Sequence, residues 1–307
     1  MAATPKAAVE CNVGPIRFLP GPNRGRYPHC HSVYVEGAGV LIDPASDRER
    51  LTRLRDEEGV REVWLSHWHE DHFAHLDLFP DAIVRIHPAD APPLADLEVL
   101  MDWYGMDEPE NRSLRERWAE YIVSGFHFRP RPESELSFFA PNEEIGLFPG
   151  LSARVLHVPG HTPGHVAFFF PEPSVLFLSD YDLTPFGPWY ADPASSLTRT
   201  IASVRALQAV PARRWIPAHD GGVLTEAPPA LWDAYIEVPL SRERKILDFL
   251  SEPRSVDDIA DLWLVYRKPR EPLDFYRWAE RATAKKHLKR LAERGLAVCE
   301  KGLWRRA

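Results

Sequence analysis

The chain has little cysteine and no long apolar run. Its three cysteines, Cys11, Cys30 and Cys299, are far apart among 307 residues and form no Cys-x-x-Cys pair, so the sequence predicts reduced thiols and a cytoplasmic location. No window approaches the roughly 18 apolar residues of a membrane-spanning helix, and no apolar stretch follows basic residues at the N-terminus, so we expect no membrane association. The Gly-x-Ser-x-Gly turn of serine hydrolases is also missing, which excludes that type of nucleophile.

One short segment is, by contrast, crowded with metal-ligand side chains. Residues 67–72 form the sequence His-Trp-His-Glu-Asp-His, directly after a predicted buried strand. Side chains two apart in an extended chain point the same way, so His67 and His69 can converge on one ion. Asp71 and His72 lie where the chain turns, and they can aim at a second ion close by. Because burying so many polar groups without a partner costs several kcal/mol, the segment predicts a metal site.

Four other predicted strands also end in histidine or aspartate. The residues are Asp43, His161, Asp180 and His219, and a further histidine, His165, follows His161 in the segment Gly-His-Thr-Pro-Gly-His. Loops at strand ends gather ligands on a rigid scaffold. The sequence therefore predicts one site assembled from five strand ends.

In this order, the residues resemble the motifs of the metallo-β-lactamase-fold hydrolases, a superfamily that includes glyoxalase II, lactonases, ribonucleases and arylsulfatases. The similarity covers roughly residues 11–225 and implies an α+β fold, a four-layer αββα sandwich with a two-metal site at one edge. The implied ligands are His67, His69 and His161 for the first metal, Asp71, His72 and His219 for the second, and Asp180 as a bridge between them. The resemblance also implies that Asp43 orients the histidine-rich loop and that His165 supports the loop of His161.

Two divalent metals about 3.5–4 Å apart lower the pKa of a shared water, so a bridging hydroxide can attack a carbonyl or phosphoryl centre near pH 7. Three imidazoles favour zinc, while the carboxylates leave iron and manganese open. Asp71 and Asp180 are the candidates for carrying a proton to the leaving group. We expect a small ester, thioester or lactone as substrate. An RNA or DNA phosphodiesterase and an iron persulfide dioxygenase with a single metal remain alternatives.

The chain divides into two predicted domains, a catalytic domain at residues 1–238 with a helical insertion at about 91–125, and a winged-helix-like domain at 239–307. Residues 241–307 contain 17 Lys and Arg against 11 Asp and Glu, whereas residues 1–240 have a net charge of −14. The pattern of the second domain predicts helices at 243–250, 256–262 and 278–294 and a hairpin at 296–305.

The predicted third helix and wing carry a basic face. Its residues are Arg281, Lys285, Lys286, Lys289, Arg290, Arg305 and Arg306. Such a face can neutralise the phosphates of a nucleic acid. The acidic neighbouring domain would repel a polyanion, however, and favours docking of the helices on the catalytic domain or formation of a homodimer.

Aromatic and histidine side chains outside the motifs are candidates for substrate binding. Phe186, Trp189 and Tyr190 follow Asp180, and a tyrosine hydroxyl can stabilise an oxyanion. His29 and His31 precede a predicted strand and can lie at the rim of the pocket, although a lone histidine outside the motifs is more often structural. The insertion can wall the pocket, form a subunit interface or pack its own core.

Overall fold

A computed structural model describes residues 8–140 and 142–307, so the first seven residues of the predicted catalytic domain lie outside the described residues. The described part contains two large sheets and a terminal hairpin. The strands are β1 (Cys11–Val13), β2 (Ile16–Leu19), β3 (Ser32–Val35), β4 (Val40–Ile42), β5 (Glu62–Trp64), β6 (Ile83–Ile86), β7 (Leu136–Phe138), β8 (Glu144–Phe148), β9 (Leu151–His157), β10 (Val166–Phe170), β11 (Val175–Ser179), β12 (Arg214–Pro217), β13 (Ala297–Glu300) and β14 (Leu303–Arg306).

Both large sheets are mixed. The first has the order β1-β2-β3-β4-β5-β6-β7 and changes from antiparallel to parallel pairing at β4. The second has the order β12-β11-β10-β9-β8, and only its β11–β12 pair is parallel. Parallel neighbours end at the same edge of a sheet, so the loops after β4 and β5, and those after β11 and β12, lie side by side.

Helices pack against both sheets and also form the insertion and the C-terminal segment. They are α1 (Pro22–Gly25), α2 (Arg48–Glu57), α3 (Pro92–Ala95), α4 (Leu97–Trp103), α5 (Arg112–Gly125), α6 (Leu197–Gln208), α7 (Pro229–Phe249), α8 (Val256–Ala260) and α9 (Leu273–Glu293). Side chains alternate along β10, so Phe168 packs between the sheets with its ring 5.3 Å from that of Trp64, while Phe169 packs in a second core with residues of α6 and α7. This is the αββα sandwich that the resemblance implied.

The predicted helical insertion is present as α3, α4 and α5, and it packs against two neighbours. The ring of Trp103 lies 5.6 Å from that of Trp68 in the histidine-rich loop. Trp118 stacks on Phe275 of α9, with ring centroids 4.8 Å apart. The insertion therefore joins the metal-ligand loop to the C-terminal helices.

The predicted domain boundary at 238/239 lies inside a continuous helix. α7 runs through Pro239, its first half packing in the second core and its end, at Ile246, in a separate C-terminal core. Proline removes one backbone hydrogen bond, but packing on both sides holds the helix together. α9 also begins at Leu273, earlier than predicted, because Phe275 and Trp278 give its first turns a buried apolar side.

The predicted three helices and hairpin of the C-terminal segment are all present. Ser255 caps α8 through a reciprocal capping box with Asp258. The backbone of Arg254 forms an isolated antiparallel β-bridge with Trp304 of β14. The winged-helix assignment and the homodimer stay predictions. Within the described ranges, no helix has the length and apolar character needed to span a bilayer.

Candidate metal centre

Five strand ends deliver the predicted ligands to one place. Asp43 follows β4, the histidine-rich loop follows β5, His161 lies between β9 and β10, Asp180 follows β11 and His219 follows β12. The turn that carries His161 needs glycine, because a Cβ on Gly160, with φ at +143°, would lie 2.3 Å from the backbone nitrogen of Thr200.

The first ligand group consists of three imidazoles and one carboxylate, from His67, His69, His161 and Asp180. The Nε2 of His67 lies 3.0 Å from Nδ1 of His69 and 3.1 Å from Nε2 of His161, and the third edge of this triangle is also 3.0 Å. Zinc with bonds of about 2.0–2.1 Å holds tetrahedral ligand atoms roughly 3.3 Å apart. The three nitrogens are thus arranged as the ligands of one ion.

The second ligand group contains Asp71, His72 and His219. Nε2 of His219 lies 3.6 Å from Oδ2 of Asp71. Asp180 connects the groups, since its Oδ1 is 2.8 Å from Nε2 of His72 and 3.3 Å from Nε2 of His219, while its Oδ2 is 3.3 Å from Nε2 of His161. One carboxylate therefore turns one oxygen to each group.

The ring nitrogen that faces away from the centre is held in every one of these histidines. Nδ1 of His72 donates to Asp43 at 2.8 Å, Nδ1 of His161 donates to the carbonyl of Trp189 at 3.0 Å, and Nδ1 of His219 donates to the carbonyl of Gly25. Nδ1 of His67 lies 3.0 Å from the hydroxyl of Ser66, and Nε2 of His69 donates to Asp192 at 2.9 Å. Such acceptors fix the tautomer and leave the inner nitrogen free to bind a metal.

Charge and hydrogen bonding both fit cations at this centre. Nε2 of His72 and Oδ1 of Asp180 are buried and have no hydrogen-bond partner, although they lie 2.8 Å apart. Burial opposes protonation of His69 and His219, but Asp192 outweighs it at His69 and Asp180 at His219, raising the pKa values to about 9 and about 10. Carboxylates that favour a positive charge on these two imidazoles also favour divalent ions beside them.

Three buried carboxylates near the centre were not predicted. Asp192 holds His69, Glu70 accepts from the hydroxyls of Tyr27 and Tyr104, and Asp90 accepts from the hydroxyl of Thr162 and from the Gly164 N–H at 2.6 Å. Glu70 lies inside the histidine-rich segment, which predicted metal ligands but not this contact. For Asp90 and Asp192, the only sequence signal was an acidic residue in an otherwise apolar or turn-rich stretch.

Asp43 and His165 lie where the resemblance placed them. Asp43 is fully buried and accepts from the Ser66 N–H at 2.8 Å, from the Ser66 hydroxyl at 2.7 Å and from His72, so it braces the histidine-rich loop. His165 is also fully buried, with its ring 5.1 Å from that of His161 and 5.0 Å from that of His67.

Two of the candidate substrate-binding residues need correction. His31 is fully buried, its Nδ1 accepts from the Gly21 N–H at 2.9 Å, and its Nε2 lies 2.8 Å from the Gly221 carbonyl, so it joins two loops. The hydroxyl of Tyr190 is buried against His287, at 2.8 Å, and cannot reach an oxyanion.

The remaining candidates have other neighbours or stay predictions. The ring of Phe186 lies under Arg242, and the ring of Trp189 is 6.3 Å from that of Trp278. Both aromatic side chains thus lie against the C-terminal segment. His29 is partly buried in the loop after α1, and its role stays a prediction.

Comparison with known proteins agrees with this geometry. The model of the metallo-beta-lactamase superfamily matches residues 25–219, a range that contains all seven ligands. The chain belongs to this superfamily. A metallo-beta-lactamase family protein from Thermus thermophilus shares the fold with a TM-score of 0.70 at 23% identity, over 95% of this chain and 99% of its own. The C-terminal helices are thus part of a fold shared over the whole chain.

Two relatives of the chain are enzymes with named activities. The hydroxyacylglutathione hydrolase GloC of Haemophilus influenzae is 26% identical over 47% of this chain and 61% of its own length. An atrochrysone carboxyl ACP thioesterase of Pseudocercospora fijiensis is 24% identical over 78% of this chain and 61% of its own length. The chain thus spans about six-tenths of the length of these relatives.

Proposed function

We propose that this superfamily member is a binuclear metal-dependent hydrolase that acts on the carbonyl carbon of a small thioester or ester. The observation that carries the proposal is the position of Asp180, whose two oxygens each lie within 3.3 Å of an imidazole from a different ligand group. A carboxylate shared in this way places two ions side by side. When bound, such ions lower the pKa of a water and polarise the oxygen of the substrate.

The side chains of the centre differ in how far they reach the surface. Asp180 and His219 keep 12% and 15% of their side-chain surface exposed, whereas His67 and His72 are fully buried. Substrate therefore approaches from the side of Asp180 and His219. We assign to Asp180 and Asp71, which both face His219, the role of accepting a proton from water and holding it for the leaving group.

Support for a thioester comes from the activities for which the two relatives are named. A hydroxyacylglutathione hydrolase and an acyl-carrier-protein thioesterase both act on acyl groups bound to sulfur. The ligand set also supports zinc, because three imidazole ligands on one ion are typical of catalytic zinc, although iron and manganese also accept imidazole and carboxylate donors. The second ligand group disfavours a mononuclear dioxygenase.

Several of the basic side chains predicted to contact a nucleic acid are bound within the chain. Lys285 binds Glu108 and Glu110 of the insertion, and Lys286 donates to two backbone carbonyls of the loop before α6. Arg290 pairs with Glu243. These basic side chains are used within the chain, so we do not propose a phosphodiesterase.

Zinc-loaded protein assayed against an acylglutathione, an acyl-coenzyme A, a simple ester, a lactone and a phosphodiester tests the proposal. We expect turnover of a thioester or an ester that is lost in Asp180→Ala and His69→Ala and kept in Lys285→Met. Cleavage of the phosphodiester alone, or full activity in Asp180→Ala, would contradict it.

A further inference from the structure

The loop between β11 and α6 supplies acceptors to the first ligand group. We call residues 184–196 the support loop. Its Trp189 carbonyl accepts from Nδ1 of His161 at 3.0 Å, and its Asp192 carboxylate accepts from Nε2 of His69 at 2.9 Å. The second ligand group uses other acceptors, the carboxylate of Asp43 and the carbonyl of Gly25. The support loop therefore orients the rings of one group only.

The support loop has no helix or strand of its own to fix it. Internal bonds are few, the main ones running from the Ser195 hydroxyl to the carbonyls of Tyr190 and Asp192. Since backbone carbonyls in an irregular loop must find donors elsewhere, the position of the loop depends on what packs against it.

Polar side chains from α7 and α9 hold the support loop at several points. Arg242 donates to the Phe186 carbonyl at 2.7 Å and, at 3.4 Å, to the Tyr190 hydroxyl. His287, fully buried, lies 2.8 Å from the same hydroxyl.

Lys286 holds the other end of the loop. Its Nζ donates to the carbonyls of Pro193 at 2.6 Å and Ser195 at 3.0 Å, just after Asp192 in the chain. Thus α7 and α9 bind the support loop both before Trp189 and after Asp192. We call Arg242, Lys286 and His287 the clamp.

The clamp is itself tied into a buried polar cluster. Glu243 is 5% exposed and pairs with Arg290 and, at 2.8 Å, with Arg294, while its Oε2 lies 3.5 Å from Nδ1 of His287. Buried ion pairs are weak sources of stability, because desolvation offsets their attraction, but they can fix a geometry. A cluster of this kind therefore suits a rigid clamp.

We propose that the C-terminal segment is a positioning element for the first metal, in which Arg242, Lys286 and His287 hold the support loop so that Asp192 and the Trp189 carbonyl orient His69 and His161. This proposal rests on the proposed metal centre. Loss of the clamp leaves the ligands present but poorly oriented. Removing a group that orients a metal ligand weakens metal binding by about 10–100-fold.

A pair of neighbouring lysines provides the test. Lys286→Met removes both bonds to the support loop, whereas Lys285→Met removes two bonds from the same helix to the insertion. The full-length metal-free protein is titrated with Zn²⁺ against a competing chelator, and with Co²⁺ followed by visible absorption. Asp192→Ala and His219→Ala serve as references for the first and second metals. If the parent chain binds no metal, the proposed function itself fails, whereas a failure of the clamp shows only in the variants.

For Lys286→Met we expect affinity for one ion to fall about ten-fold, in the pattern of Asp192→Ala, with the other ion unchanged. Lys285→Met keeps both affinities. Tyr190→Phe, which deletes only a hydroxyl shared by Arg242 and His287, provides a second, milder variant if Lys286→Met does not fold. Unchanged metal affinities in Lys286→Met and Tyr190→Phe would overturn the proposal. An equal loss of affinity for both ions, together with lower thermal stability, would also overturn it.

Discussion

The two ligand groups differ in what holds their imidazole rings. In the second group, His72 is held by Asp43 at the end of β4, and His219 is held by Gly25 at the end of α1. In the first group, the acceptors for His69 and His161 both lie on the support loop, which α7 and α9 hold from outside. One metal thus depends on the sheets and the N-terminal loop, and the other depends on the C-terminal segment.

This difference shows that the metal ligands and the residues that orient those ligands can lie in separate parts of the chain. The seven ligands lie between residues 67 and 219, within the range that matches the superfamily. The clamp lies at residues 242–287, outside that range. Substitutions in the clamp should therefore weaken the binding of one metal only, while substitutions of Asp180 should weaken the binding of both.

The largest expected effect is that of Asp180→Ala, which removes the one carboxylate shared by both groups. We expect loss of both ions at micromolar free Zn²⁺ and a fall in kcat/KM of at least about 1000-fold, or roughly 4 kcal/mol of transition-state stabilisation. Metal analysis and steady-state assays measure the two effects. Retention of two tightly bound ions would show that Asp180 does not bridge them.

The next effect is specific to the first group. Asp192→Ala leaves Nε2 of His69 without its acceptor, so we expect the first ion to bind about 10–100-fold more weakly while the second is unaffected. Competition with a chelator resolves the two affinities in one titration. A parallel loss of both would mean that the groups are not held independently.

Gly25→Ala is the matching test for the second group. Gly25 has φ at +66°, and an added Cβ would lie 2.7 Å from the ring of His31, which Gly21 and Gly221 hold in place. The backbone must shift, moving the carbonyl that holds His219, so we expect about ten-fold weaker binding of the second ion.

Gly59→Ala is the control for backbone strain. Gly59 has φ at +82°, and its Cβ would meet nothing within 4 Å. Both alanine variants lose about 1–2 kcal/mol of stability for a left-handed backbone, and only Gly25→Ala should change metal affinity. Equal metal affinities in the two variants would show that Gly25 does not position His219.

The smallest effect concerns acid stability around the clamp. Burial opposes ionisation of Glu243, but His287 and Arg290 outweigh it and lower the pKa to about 2 from an ordinary 4.5. A lowered carboxyl pKa contributes stability above its ordinary pKa and loses it as the pH falls toward the folded value. In urea unfolding between pH 6 and pH 3, Glu243→Gln should therefore lose less stability than the parent chain. Identical pH dependence would show that Glu243 is not ion-paired.

The ligands were predictable because each directly follows an apolar strand, and a short polar motif after a strand end is a local pattern. The fold could be predicted for the same reason, since alternation along strands such as β10 sets which side faces the core. Local patterns also predicted the helices and the hairpin of the C-terminal segment.

Contacts between distant segments outside the metal-ligand motifs could not be predicted. Asp192 meets His69 across 123 residues, and Tyr190 meets His287 across 97, so neither partner marks the other in the sequence. The sequence left the role of His31 open, because a histidine at a rim and a histidine bonded to two backbone groups have the same local sequence. The domain boundary at Pro239 stays a prediction, because α7 continues through this residue and packs in two separate cores.

The most direct test is a crystal structure of the zinc-loaded protein with anomalous scattering measured at the zinc edge. We predict two peaks about 3.5–4 Å apart, one bound by His67, His69 and His161, the other by Asp71, His72 and His219, with Asp180 between them. A single peak, or zinc bound away from these side chains, would contradict a shared two-metal centre.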